Sequence, residues 1–372
     1  MQYSSRLSRW IHGWKKTTAE ELGLMRIFTS LFLLFFLLPG EGVQHFAWLS
    51  SLPDDFYSPA PGPMRLFSSF PGLVFFQTVH TIAVLAVIAM LVGYRTKITS
   101  ITAGLAILTL QGLIYSVGKV NHEILIASVP VVMAFSNWGL RYSVDEALKK
   151  NVNEEAESWP LLMIALIIGF MMFTAGFPKI LGGWLDPSTQ ATYGHLLNQY
   201  FEKERDAFLA GAVIHWNSPF FWELLDWSTV LFETGFIIAV YRLSWFRVFL
   251  CIAVLFHFST MLLLNIAFLP NFLAYALFLN WQGIHDLLTR IWRKVNKRAG
   301  SRAEIQTVFF FSGFTAVMFA LLRWASNRHF VLAHSELTLH EAAFLFAAVA
   351  VVVFSALGFV WRGRDKNPMF KT

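Results

Sequence analysis

The amino-acid sequence predicts an all-α fold: a polytopic integral membrane helical bundle of about ten transmembrane helices, with both termini in the cytoplasm. Three observations lead there. Of 372 residues, 56% are hydrophobic and only 14% charged, a balance too apolar for a soluble globular chain. Apolar stretches of membrane-crossing length recur along the chain. Basic residues collect in alternate connections between those stretches.

The stretches fall near 24–42, 73–93, 98–117, 122–139, 159–178, 221–241, 246–267, 270–281, 304–323 and 341–361, the eighth being short. The first, TSLFLLFFLL, follows a basic segment but meets no small-residue cleavage site, so it reads as a retained span and not a removed signal peptide. With the N-terminus inside, the inner segments carry 21 basic residues. They begin with Arg6, Arg9, Lys15 and Lys16 and continue through Arg95, Lys97, Arg141, Lys149, Lys150, Arg242 and Arg247. Positions 290–302 add six, and Arg362, Arg364, Lys366 and Lys371 close the tail. The outer loops carry 6: Arg65, Lys119, Lys179, Lys203, Arg205 and Arg328. The formal charge of +6 therefore orients the chain in a bilayer and implies no nucleic-acid partner.

Cys251 is the one cysteine, which excludes a disulfide framework within the chain. The largest outer loops, 43–71 and 179–220, are too short for independent domains, but their aromatic and proline content suits them to cover a site. The basic segment 282–303 reads as a linker. It divides a transmembrane domain, 1–285, from 286–372, which holds two further spans and a short basic tail.

A few polar residues interrupt this apolar pattern. Residues 173–184, FTAGFPKILGGW, close the fifth stretch on Lys179, either an anchor snorkelling to the headgroups or a reactive amine at the membrane edge. Asn121 and His122 fall at the outer mouth of the fourth helix. Glu233 and His257 fall near the midplane, where they must pair or face the bundle interior; a structural hydrogen-bonded pair and a functional site are both open. His80 reads as a packing or interhelical hydrogen-bonding residue. His329, His334 and His340 have neither i, i+4 spacing nor an HExxH arrangement, so no metal site is expected.

FTAGFPKILGGW resembles the segment of vitamin K-dependent gamma-carboxylases in which an apolar helix ends in Ala-Gly, a catalytic lysine and a nearby tryptophan, and Lys179 falls on that lysine. NHEILIASVPVVMAFSNWGLRYSVDEAL is similar to the family's Asn-His opening and Ser-Val-Asp exit, with Asn121, His122, Ser143, Val144 and Asp145 matching in order. LFHFSTMLLLNIAFLPNFLAYALFL resembles the helix bearing a Phe-His pair, here Phe256 and His257. AEELGLMRIFTSLFLL and VGYRTKITSI add Arg26, Tyr94 and Arg95. Together the motifs cover about residues 20–285, the horizontally transferred transmembrane (HTTM) domain. Two features depart from the pattern. Pro178 stands where the animal enzymes have a second lysine, and two further spans and a basic tail stand where the family has a large lumenal domain.

The resemblance implies a membrane enzyme using reduced naphthoquinone (vitamin K hydroquinone or a related quinol) and oxygen, with CO2 as a further co-substrate if a peptide glutamate is carboxylated. Without the lumenal domain, quinol binding and epoxidation are expected without carboxylation of free glutamate peptides. Lys179 would be the catalytic base and His122 would orient the quinol oxygen. Asn121, His257, Phe173, Phe177 and Trp184 would contact the cofactor. A neutral amine is required, and partial burial among Phe173, Phe177, Ile180 and Trp184 would disfavour the ammonium. The implied partners are the lipid bilayer, the lipophilic quinol and a peptide or protein substrate on the extracytoplasmic side, in a bacterial inner membrane or its equivalent. The competing reading is a transporter or proton-conducting protein built on Glu233 and His257.

Overall fold

The computed structural model describes residues 6–38, 42–118, 124–148, 154–266 and 268–295, and every regular element among them is helical. In chain order the helices are α1 (Arg6–Gly13), α2 (Ala19–Phe32), α3 (Gly42–Ser50), α4 (Leu73–Val92), α5 (Thr96–Ile114), α6 (Ile124–Met133) and α7 (Val144–Ala147). They continue as α8 (Trp159–Leu181), α9 (Ala191–Leu197), α10 (Ala210–Val213), α11 (Pro219–Ala239), α12 (Leu243–Leu264), α13 (Leu269–Ala276) and α14 (Trp281–Val295). Among the described residues, α4, α8, α12 and α5 with its 3-10 extension to Val117 are long and apolar enough to cross a membrane. The ninth and tenth stretches lie outside the described residues.

Three elements are described more closely than the sequence allows. The eighth stretch forms a helix of only eight residues, α13. The segment read as a linker from 282 begins as a fifteen-residue amphipathic helix, α14, whose Ile284, Leu287, Leu288 and Ile291 recur at helical spacing between polar positions. The fourth stretch is also short: α6 spans ten residues and continues as a 3-10 turn to Ser136.

The described residues form two compact units, one within 6–164 with 276–295 and the other within 165–275. In the first unit α4 and α5 pack as antiparallel neighbours, with α6 against α5 and α2 against α4. Its organising residue is Arg26, fully buried in α2. Nε donates to Trp138 O at 3.1 Å, and Nη1 to Met90 O and Leu91 O at 2.6 and 2.8 Å. Nη2 donates to Arg141 O and Tyr142 O at 3.4 and 2.6 Å. All five guanidinium hydrogens are thus used, two of them on last-turn carbonyls of α4, of which Met90 O also accepts from the Gly93 amide.

The surrounding residues are shaped to this knot. Gly93 has φ 72°, and a Cβ there would stand 2.6 Å from Arg26 Nη1 and 2.3 Å from the Ser143 Cβ. Asp145 accepts from the Arg95 and Thr96 amides and from the Thr96 hydroxyl, clamping the start of α5 to the 137–148 segment. Arg26, Arg95, Ser143 and Asp145 are among the residues that carry the family resemblance, and here they build a structural joint. Just outside it, Arg141 pairs with Glu20 and Glu146 at 2.9 and 2.8 Å. Burial acts to raise the Glu20 carboxyl, but its own backbone amide and Arg141 outweigh that and hold it below its ordinary value.

The second unit packs α11 against α12 and α9. Its loop 184–218 folds on the ends of these helices around Leu196, Ala210, Val213, Ile214 and Trp222. Asp226 of α11, fully buried, accepts from both the amide and the hydroxyl of Thr192, while Asn265, capping α12 at φ 55°, donates to Arg205 O and Ala207 O. The loop 43–71 of the first unit does the same with Phe46, Leu49, Phe70, Phe76, Leu110 and Leu113. Both loops expected to act as covers are therefore folded against helix ends of their own unit.

Arg26→Met keeps apolar bulk while stranding carbonyls from two segments, so it should destabilise the protein by about 3 kcal/mol or more. Arg26→Lys should recover little, because three donors on one nitrogen cannot span Trp138 O, Met90 O and Tyr142 O. Thermal unfolding in detergent checks both, and a loss under about 0.5 kcal/mol for Arg26→Met would contradict the role given to the guanidinium.

Candidate functional site

Lys179 lies in the last turn of α8, and GGW ends that helix in a defined way. Gly183 adopts φ 78°, its amide reaches Ile180 O at 3.4 Å, and the Trp184 amide reaches Lys179 O at 3.1 Å. This is the paired Schellman arrangement, for which a glycine in the left-handed region is the cheapest residue. Its consequence is that Trp184 folds back over the helix end, with Lys179 Nζ 4.8 Å from the indole centroid.

The other partner of the amine comes from α11. Lys179 Nζ lies 2.6 Å from Glu233 Oε1 and 2.5 Å from Oε2. The carboxylate side chain is 6% exposed and the lysine 23%, so the pair is sunk among helices but open on the lysine side. The close approach that permits it depends on glycine. A Cβ on Gly176 would stand 2.7 Å from Glu233 Cβ, and one on Gly169, two turns earlier on the same stripe, 2.8 Å from Val240 Cγ2.

Several expectations are revised by this geometry. Glu233 was assigned to the midplane and Lys179 to the membrane edge, yet the two share one level. Glu233 stands about 20 Å along α11 from Pro219, whereas Lys179 is two residues from the end of α8. The first turns of α11 therefore extend beyond α8, and the folded loop 184–218 packs around them. Of the four apolar residues expected around the amine, Trp184 is placed on it. Phe173 and Phe177 stack on each other at 5.6 Å, but roughly 200° of helix separates Phe177 from Lys179, and the glycine stripe runs between. Phe177 and Ile180 are 46% and 41% exposed on that neighbouring face, so these aromatics do not enclose the lysine.

His257 of α12 lies close by in the same unit. Phe232 and Phe256, the residues preceding Glu233 and His257, have ring centroids 5.3 Å apart, so the two polar residues occupy adjoining positions on packed helices. His257 is buried and its Nε2 lies 3.0 Å from Tyr275 Oη and 3.2 Å from Asn271 Nδ2, both on α13. The sequence reading missed Tyr275 and Asn271. Their helix is only eight residues long, and its signal was a polar Asn and Tyr at i, i+4 inside an apolar run.

Asn121 and His122 lie outside the described residues, as do His329, His334 and His340. His80 bonds Leu38 O at 2.9 Å and packs on Phe46, a hydrogen-bonding residue of the first unit. Among the described residues no cluster of His, Cys, Asp and Glu has the makings of a metal site.

The arrangement can hold a cation, or pass a proton between an amine and a carboxylate along a short hydrogen bond. Breaking such a sunken pair from one side leaves an uncompensated charge, whereas removing both partners together does not. Lys179→Met and Glu233→Leu should each destabilise by about 3 kcal/mol, and the double variant should recover at least about 2 kcal/mol of the summed loss. Additive losses in a double-mutant cycle by thermal unfolding would remove the pair from the structure's description.

Compared with protein-family models, with curated proteins and with solved structures, the chain finds no match.

Proposed function

We propose that this chain is a multi-pass membrane enzyme resembling the HTTM domain of vitamin K-dependent gamma-carboxylases, with about ten spans, cytoplasmic termini and its reaction on the extracytoplasmic side. Its substrate is a reduced naphthoquinone or related quinol drawn from the lipid phase, and its base is Lys179. The observation that carries this reading is the Lys179–Glu233 pair beneath the Trp184 indole, open on the lysine side. Those residues suit a planar phenolic molecule: an indole face to stack on and an amine within reach of a hydroxyl. When bound, the quinol supplies an acidic hydroxyl and, with oxygen, the chemistry of epoxide formation.

The chain's own contribution is proton handling. A lysine ammonium cannot accept a proton, so the resting pair must first become amine and carboxylic acid. Glu233 lies on both hydrogen bonds of the ammonium and is the group placed to take that proton. Covering the open side of Lys179 with an apolar ring excludes water and favours the neutral pair over two charges. Trp184 then holds the ring plane, and Glu233 keeps the amine aimed at its hydroxyl.

The second reading is a proton-conducting or transport protein using Glu233 and His257. The feature that favours it is the His257–Tyr275–Asn271 group, with His257 on a helix packed against that of Glu233.

One substitution separates the readings. Lys179→Arg keeps a cation for Glu233 and for the indole, so the fold should survive, but guanidinium stays protonated and cannot act as a base. With purified protein, reduced vitamin K and oxygen, epoxide formation should fall by about 100-fold or more in Lys179→Arg while quinone binding is retained. Undiminished epoxide formation would make Lys179 an anchor.

The orientation is tested separately, by a cysteine at Asn198 in a Cys251→Ser background. It should react with an impermeant thiol reagent added outside intact cells. Reaction only after the cytoplasmic face is opened would invert the topology.

A further inference from the structure

One end of the first unit is a cationic surface. It gathers the end of α4, the starts of α2, α5 and α8, and the helices α1 and α14. Glu20–Arg141 and Asp145 with Arg95 and Thr96 join α2, α5 and the 137–148 segment. Ser158 Oγ donates to His12 O at 3.4 Å, which brings α1 beside the start of α8. Phe28 meets Trp281 at 5.6 Å and Tyr142 meets His285 at 6.2 Å, which seats α14 against α2.

The acids around α2 and the 137–148 segment are occupied internally, whereas Glu154 and Glu155, just before α8, are exposed. Glu21 accepts from the Thr18 amide and the Thr17 hydroxyl, and Glu20 is held by Arg141. Glu146 accepts from Arg141 and from the Tyr142 amide, and Asp145 closes the start of α5. Asp286 accepts from Gln282. The cations Arg6, Arg9, Lys16, Arg95, Lys97 and Arg290, by contrast, are exposed. Among the described residues these six exposed cations outnumber the exposed acids Glu154, Glu155 and Asp286, so the surface carries net positive charge.

The two helices at its edge are amphipathic. In α1, Leu7 is 61% exposed beside Arg6 and Arg9; in α14, Leu287 is 51% exposed beside Arg290. Uncovered leucines next to uncovered arginines, at the end of a bundle whose helices are long and apolar enough to cross a membrane, match the boundary between headgroups and acyl chains. A soluble anion would satisfy the arginines but not the leucines.

We propose that this face binds anionic phospholipid headgroups, with α1 and α14 lying in the plane of the membrane surface, their leucines in the acyl boundary and their arginines on phosphates. This holds whatever reaction the second unit performs, and it requires only that the chain be embedded in a bilayer.

The test uses the full-length protein in mixed micelles with equal amounts of phosphatidylglycerol and phosphatidylcholine, reading retained lipid by native mass spectrometry. Wild type should retain phosphatidylglycerol over phosphatidylcholine on the order of tenfold, and raised salt should erode the preference. Arg6→Gln/Arg9→Gln/Arg290→Gln, all at exposed positions, should lose most of it without a change in thermal stability in detergent. Arg65→Gln/Lys203→Gln, exposed cations elsewhere, should keep it. Equal retention of the two lipids by wild type would overturn the proposal, as would equal loss in the Arg65/Lys203 control. Displacement of the lipid by inorganic phosphate would assign the face to a soluble anion instead.

Discussion

A guanidinium with every hydrogen spent on backbone carbonyls is the constraint on which the first unit depends. Arg26 is a charge enclosed by apolar helices, and its five bonds end on carbonyls of two segments, 90–91 and 138–142, that Asp145 also ties together. Those carbonyls would lose a charged donor without it, and the charge would be unsolvated without them. The dependence is mutual, which is why the neighbouring residues are so restricted. Gly93 and Gly23 leave no room for a Cβ against this joint, and Asp145 holds the start of α5 in place beside it.

The second unit treats a cation differently. Lys179 meets a carboxylate and an aromatic face, with no backbone carbonyl among its described bonds. Dipoles fixed in the main chain cannot accept a proton, so Arg26 is permanently what it is. A carboxylate can, so the Lys179–Glu233 pair has two protonation arrangements that differ only in where one hydrogen sits. The contrast between the two sites separates a residue whose hydrogens are all committed to the fold from one whose hydrogen can shift to its partner.

Much of this architecture was legible in residue order, and the gaps have physical causes. The spans of α4, α5, α8 and α12 are apolar on all sides, so length alone identifies them. The same uniformity hides which face of a helix meets which neighbour. Lys179 and Glu233 are 54 residues apart, and nothing local in FTAGFPKILGGW names its partner. Phe173 and Phe177 looked like walls for the amine because they are near it in sequence, but helical rotation carries them to another face. α14 went unrecognised because its many charges outweighed a regular apolar spacing. Composition read it as a connection, and periodicity would have read it as a helix. The resemblance motifs around Arg26 and Asp145 were visible as residues, but their common purpose needed three-dimensional proximity.

The glycine stripe on α8 has a mechanical corollary. At Gly176 the backbone of α8 comes so near α11 that a side-chain carbon would collide with Glu233. Sliding α8 by one turn in either direction would put Phe173 or Ile180 in that position, where neither fits. The contact therefore acts as a detent with a single stop. The stop fixes the register of α8 on α11, and with it the level at which Lys179 meets Glu233.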